Sequence, residues 1–307
     1  MSTAATTAPP RRAIPTCKGP DPRPRRPRTV APPGACDAHC HVFGPAHLFP
    51  YAEDRAYTPP DAPYDALVAL HRTLGLERAV IVHASCHGSD MRVTLDGIAR
   101  SGGAMRGVAV VDPGVTDRDL EALHAGGIRG VRFNFVRHLG GTPDTAFFDR
   151  VLAQVGPLGW HVVLHLDAVD VEALAPRLAA IRVPFVVDHM GRVRARDGTG
   201  QPAFRALLRL MDNERAWAKV CGMERVSSAG APFRDAVPFA RALAAAAPDR
   251  VLWGTDWPHP NIAGDMPNDG DLLDLLGEAL DGDAGLLRRV LVDNPNRLYW
   301  PEEAAPA

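Results

Sequence analysis

The chain has no cysteine pair spaced CxxC. Its five cysteines, Cys17, Cys36, Cys40, Cys86 and Cys221, are scattered and odd in number. That pattern argues against a disulfide framework or a thiolate metal site, and for reduced thiols in a cytoplasmic protein. No stretch approaches the roughly 20 apolar residues that a membrane-spanning helix needs. The N-terminal region lacks the apolar segment of a secretory signal. No GxGxxG follows the first strand candidate and no GxxxxGK[ST] occurs, so neither phosphate-cradling loop is expected. A charge excess is missing too. With 34 Lys and Arg against 36 Asp and Glu, the formal net charge is −2, giving no ground for nucleic acid or an anionic membrane as partner.

What is present is 307 residues, 46% hydrophobic and 23% charged, an ordinary content for one large α/β domain with an ample core. Residues 1–34 stand apart. They carry Arg11, Arg12, Lys18, Arg23, Arg25, Arg26 and Arg28 against Asp21 alone, among many prolines. This composition predicts an extended or disordered N-terminal arm. An RNA-binding, organelle-targeting or dimerising role for the arm is a further reading, and a homo-oligomer stays open.

From residue 35 to 307 short apolar runs alternate with helical patterns. Strands are expected at 35–43, 78–84, 106–112, 130–135, 161–166, 185–190, 216–222 and 250–256. Most are nearly continuous Val/Ile/Leu runs, the mark of parallel strands buried on both faces. Between them lie helical stretches such as "YDALVALHRTLG" and "FFDRVLAQVG", which end in the glycine of a helix stop. Eight such units predict a single (β/α)8 barrel.

A barrel of this kind carries its chemistry at the C-terminal ends of its strands. Those ends hold His39 and His41 (first strand), His83, Ser85 and His87 (second) and Arg132 and Asn134 (fourth). His165 follows on the fifth, Asp188, His189 and Arg192 on the sixth, Arg225 after the seventh, and Asp256 with His259 at the eighth. His39 and His41 alternate, so they leave one face of their strand. A single histidine at a strand end is usually a hydrogen-bonded structural residue, which is the expectation for His83, His87 and His259. Several strands sending His and Asp to one mouth imply a shared site, because buried polar groups need partners.

The segments "DAHCHVFGP", "ASCHGSD", "RGVRFNF", "VDHMGR", "WGTDWPHPN" and "NPNRLYW" resemble the amidohydrolase superfamily, and within it the 2-pyrone-4,6-dicarboxylate lactonase branch. The resemblance implies hydrolysis of an acidic lactone in the breakdown of aromatic compounds. It implies Asp256 as the base that activates water, and His39, His41 and His189 as groups that polarise the lactone carbonyl. Arg132, Arg192 and Arg225 would bind substrate carboxylates, with Tyr57 and Ser85 as further contacts. Arginine suits that task through its planar fork of donors.

Two positions depart from the branch: His165 replaces a tyrosine, and His138 replaces an arginine, beside Arg137. His138 remains a substrate-binding candidate, and the exchange makes a carboxylated or sulfonated muconolactone a plausible substrate. The branch works without metal. His165 nevertheless restores the wider superfamily's ligand set, so His39, His41, His165 and Asp256 are expected to hold one divalent ion, zinc first. The alternative is no cofactor. Other readings are a metal-dependent decarboxylase of aromatic acids, a sugar-acid lactone isomerase, and an inactive binding barrel.

Overall fold

The computed structural model describes residues 13–137, 141–262 and 264–304. Eight parallel strands follow one another in chain order in a single sheet: β1 (Cys36–Cys40), β2 (Arg78–Val82), β3 (Met105–Ala109), β4 (Ile128–Asn134), β5 (His161–His165), β6 (Phe185–Val187), β7 (Ala216–Lys219) and β8 (Val251–Leu252). The sheet curls back on itself. Ala38 N–H donates to Trp253 O at 2.9 Å and Asp256 N–H to His39 O at 2.7 Å, joining the β8 end to β1. The result is the TIM-type barrel expected from the alternation of apolar runs and helical patterns.

Every strand is present, but β6 and β8 end earlier than their apolar runs. His189 and Met190 have φ of 50° and 52°, and Asp256 has φ of 61°, conformations outside the strand region. His189 and Asp256 leave the ladder and turn their side chains over the barrel mouth, while Met190 packs into the core outside the barrel. Gly254 marks the closest approach of β8 to β1. A Cβ there would run into the His39 backbone and the Asp37 carboxylate. Asp37, fully buried, fastens the same seam by accepting from Thr255 Oγ1 (2.6 Å), Thr255 N (3.0 Å), His71 Nε2 (3.0 Å) and His39 N (3.1 Å).

Alternation along the strands divides the core into two layers. Inward-facing Ala38, Val80, Val82, Val108, Val163, Val186 and Leu252 fill the barrel, and Leu298, Tyr299 and Trp300 from the "NPNRLYW" segment join the same cluster. The larger cluster lies between strands and helices, with Phe148, Phe185, Phe204 and Phe239 among its members. Helices Tyr64–Leu74, Asp117–Ala125, Thr145–Val155 and Val237–Ala246 are among those packed outside. Among the described residues no helix is long and apolar enough to cross a membrane.

Residues 13–34 contain no helix or ladder strand, only an isolated bridge from Thr16 to Thr58. Their backbone is bound to the barrel at several points. Arg25 N–H donates to Asn268 Oδ1 (2.9 Å), and Arg28 and Thr29 N–H donate to Asp274 Oδ1 (2.7 and 2.8 Å).

Candidate active site

A cavity of about 630 Å3 opens over the C-terminal ends of the strands. Of the residues singled out from the sequence, His41, Tyr57, Ser85, Arg132, His165, His189, Arg192, Arg225 and Asp256 line it. His39 does not. It is fully buried and lies behind Asp256, with Nε2 3.5 Å from Asp256 Oδ1. His138 lies outside the described residues. Tertiary structure therefore gathers side chains from β4, β5 and the segments after β1, β2, β6, β7 and β8 into one site.

Asp256 stands at the centre. His41 Nε2 is 3.3 Å and His189 Nε2 4.0 Å from its Oδ1, while Arg225 Nε donates to its Oδ2 at 2.5 Å. Burial opposes ionisation of this carboxyl, yet Arg225 and the surrounding histidines hold it well below the usual carboxylate range. The histidines are oriented from behind. His41 Nδ1–H donates to the Val82 carbonyl at 2.7 Å, which aims Nε2 at Asp256. His189 Nδ1 meets Cys221 Sγ at 3.3 Å, and His165 Nδ1–H donates to Asn134 Oδ1 at 3.1 Å. Burial, chiefly, pushes His189 down to about 4 and lowers His39 and His165 well below the ordinary imidazole value. These rings are neutral at pH 7.

Beneath the floor lies a charge cluster that the sequence reading passed over. Lys219, a lone lysine in the apolar run "AWAKV", is fully buried on β7. Its Nζ is 2.9 Å from His39 Nδ1 and 3.2 Å from Asp188 Oδ1. Arg132 Nη2 reaches Asp188 Oδ2 at 3.0 Å. Burial works against ionisation of Asp188, but Lys219, His39 and Arg132 together keep its carboxyl well below the usual range.

Arg132, Arg192, Arg194 and Arg225 all line the cavity. Three of them face protein carboxylates, since Arg192 Nε also pairs with Asp167 Oδ1 at 2.8 Å. Arg194, exposed at the rim and overlooked in the sequence, has no carboxylate partner among the described residues. Glu224, likewise overlooked, is buried beside Arg225 (3.5 Å). Tyr57 is buried beside Ser85, and burial raises its hydroxyl above the ordinary phenol value.

The histidines expected to be structural have local partners. His83 bonds Thr94 Oγ1 (2.8 Å) and Gly88 O (3.1 Å), and His87 contacts Pro50 O (3.2 Å). His259 is sandwiched between Asp269 (3.0 Å) and Glu224 (3.8 Å). Burial disfavours its charge, but the Asp269 and Glu224 carboxylates raise it to about 10, so it serves as a buried cation tying down the turn after β8.

Buried His/Asp groups of the kind that could hold a metal ion are present. Donor atoms of His39, His189 and Asp256 lie within 4.8 Å of one another, and His165 is not in that group. Its ring is held by Asn134, the residue paired with it across β4 and β5. Arg225 takes Asp256 Oδ2 and leaves Oδ1 facing the histidines. Behind His39, Nδ1 lies between Lys219 Nζ (2.9 Å) and Asp188 Oδ1 (3.3 Å), a carboxylate of the kind that accepts a proton from a ligating histidine.

The sequence profile of the family described as Amidohydrolase matches residues 36–300. The 2-pyrone-4,6-dicarboxylate hydrolase of Comamonas testosteroni is 46% identical over 290 residues, covering 91% of this chain and 94% of that protein. The 4-sulfomuconolactone hydrolase of Hydrogenophaga intermedia is 44% identical over 288 residues, covering 93% and 95%. The apo crystal structure of an Agrobacterium tumefaciens protein superposes with a TM-score of 0.76 at 30% identity, covering 92% of this chain and all of that one. Barrel, strand-end histidines and sequence agree, and the chain belongs to the amidohydrolase family.

Proposed function

We propose that this protein hydrolyses a lactone bearing at least two anionic groups, such as a pyrone dicarboxylate or a muconolactone with a carboxylate and a sulfonate. The observation that carries this reading is Asp256, held ionised in a cavity that Arg132, Arg192, Arg194 and Arg225 also line. A lactone ring presents the carbonyl for attack, and its acidic substituents match the planar forks of the arginines. Relatives 46% and 44% identical carry the names of hydrolases of such compounds.

In the proposed reaction Asp256 accepts a proton from water and the resulting hydroxide adds to the lactone carbonyl. His189, which lines the cavity, lies where the carbonyl oxygen gains charge, and His41 faces Asp256 with Nε2 3.3 Å from Oδ1. The ring C–O bond then breaks, and the leaving oxygen takes back the proton held by Asp256. His39, set behind the cavity, acts on Asp256 rather than on the lactone. Tyr57 and Ser85 hydrogen-bond the substrate, and His165 lines the cavity in place of the phenol of the lactonase branch.

The Arg225–Asp256 contact explains how so acidic a carboxyl can serve as a base. Arg225 stabilises the carboxylate at 2.5 Å and lowers its proton affinity. A substrate carboxylate that recruits the same guanidinium would weaken this hold and return basicity to Asp256 once the site is loaded.

A metal-dependent reading assigns the ion to His39, His41 and Asp256 with either His165 or His189. The proposed steps draw their electrostatic stabilisation from Arg225 and the neutral His189 ring. The purified protein, assayed on a panel of dianionic, monoanionic and neutral lactones, is expected to open dianionic rings with a kcat/KM at least about 100-fold above neutral ones. The expectation follows from the worth of charge-assisted contacts, about 1.5–3 kcal/mol each. Absence of turnover on every member would refute the assignment.

The pH dependence is also specified. Asp256 is held well below the carboxylate range and His189 at about 4, so neither of these two groups changes charge near neutrality. Protonating Asp256 removes the base, so activity is lost only as pH falls through its lowered value. The acid limb that Asp256 sets in a profile of kcat/KM is therefore expected below the ordinary carboxylate value of about 3.9. A limb near or above that value that disappears in Asp256→Asn would contradict the lowered carboxyl.

A further inference from the structure

The buried lysine under the floor has no part in binding substrate, and its contacts are specific. Lys219 Nζ to His39 Nδ1, at 2.9 Å, has hydrogen-bond geometry. The neighbouring Asp188 Oδ1 lies farther from His39 Nδ1, at 3.3 Å, and is 3.2 Å from Lys219 Nζ, while Arg132 faces Asp188 Oδ2 at 3.0 Å. An ammonium can only donate. Nδ1 of His39 must therefore present its lone pair to Lys219, which leaves the ring proton of neutral His39 on Nε2. That atom is buried without a hydrogen-bond partner and faces Asp256 Oδ1 at 3.5 Å.

We propose that Lys219 is a positioning residue that locks His39 in the Nε2–H tautomer, turning that N–H toward the Asp256 carboxylate instead of leaving a lone pair there for a metal ion. Two consequences follow from one bond. The Nε2–H steadies the Asp256 oxygen that takes the water proton, and the lone pair a metal would need is turned away from the cavity. Cys221, two residues on, supports the same logic. Its Sγ lies 3.3 Å from His189 Nδ1, and a thiol donating there would leave a proton on Nε2 of that ring as well. Burial raises the Cys221 thiol well above its ordinary value, so the S–H is retained. A donor at the end of β7 or just past it thus stands behind each of these two imidazoles.

The inference goes beyond the proposed hydrolysis, and its main readouts need no substrate. Nitrogen-15 NMR of histidine-labelled full-length protein is expected to show His39 with a bare Nδ1 and a protonated Nε2. Lys219→Met removes the donor but keeps the chain length of the side chain. In it His39 Nδ1–H is expected to turn to Asp188 Oδ1, 3.3 Å away, freeing Nε2 toward His189 and Asp256. Zinc chloride titrated calorimetrically into this variant should bind at least about tenfold more tightly than to the parent, the scale of outer-sphere effects on metal sites. Lys219→Gln keeps an N–H for Nδ1 and should restore the parent tautomer and weak zinc binding. On a lactone that the parent opens, the methionine variant should lose kcat by about 10- to 100-fold with KM little changed.

A parent protein with His39 protonated on Nδ1 would overturn the proposal without any variant. So would equal zinc affinity in the parent and Lys219→Met. Failure of every lactone would instead count against the proposed function and leave the tautomer and zinc readouts intact.

Discussion

Asp256→Asn is expected to lower kcat/KM on any accepted lactone by at least about 1,000-fold, with the fold retained. The magnitude follows from the loss of a general base, about 100- to 10,000-fold. A second effect adds to it. The amide cannot take the water proton, and Arg225, now facing a neutral group in place of a carboxylate at 2.5 Å, is free to settle on the substrate in a non-productive pose. Substrate binding should change less than turnover, because the arginines remain. Steady-state kinetics with circular dichroism as the folding control decides the matter. Residual activity within about tenfold of the parent would remove Asp256 from the role of base.

Asp188→Asn is expected to have the largest effect on stability, a loss of about 3–5 kcal/mol, the usual result of deleting one partner of a buried ion pair. Asp188 is fully buried between Lys219 (3.2 Å) and Arg132 (3.0 Å), and the amide would leave both cations without their counter-charge. The sign with pH is fixed by the lowered carboxyl. A carboxyl whose folded value lies below its unfolded one stabilises the fold above the unfolded value, about 3.9, and loses that contribution as pH falls through the folded value. The difference between parent and variant in urea unfolding should therefore be full at pH 7 and shrink as pH drops below about 4. A constant difference across that range would mean the variant acts by packing rather than charge.

These two residues show how unevenly the site could be read from the sequence. Asp256 was legible because a lone acid closes the apolar run of β8, and "WGTDWPHPN" resembles a lactonase signature. Asp188 stood equally plainly after β6, but no role attached to it. Its meaning depends on Arg132 and Lys219, and on His39, whose Nδ1 is 180 residues from Lys219 in sequence and 2.9 Å in space. Lysine inside "AWAKV" was a visible anomaly, since a buried strand rarely admits an unpaired ammonium. The strand-five histidine was placed correctly at the mouth, but its metal role depended on a direction that no sequence shows. Asn134, its cross-strand neighbour, holds the ring, and the compact donor group forms around His189 instead.

What the sequence by itself determined is the architecture and the inventory. Buried parallel strands must be apolar on both faces, so the Val/Ile runs locate them. Polar residues ending those runs must share one mouth, because a barrel has only one C-terminal rim. Tertiary structure alone decided which proton sits on which imidazole and which cation balances which carboxylate. Those choices rest on distances of about 3 Å between side chains from different strands. A strand pattern constrains which face a residue takes, but not the hydrogen bond its ring makes. The β7 lysine behind His39 and the arginine on Asp256 are such choices, and no strand pattern announces either partner.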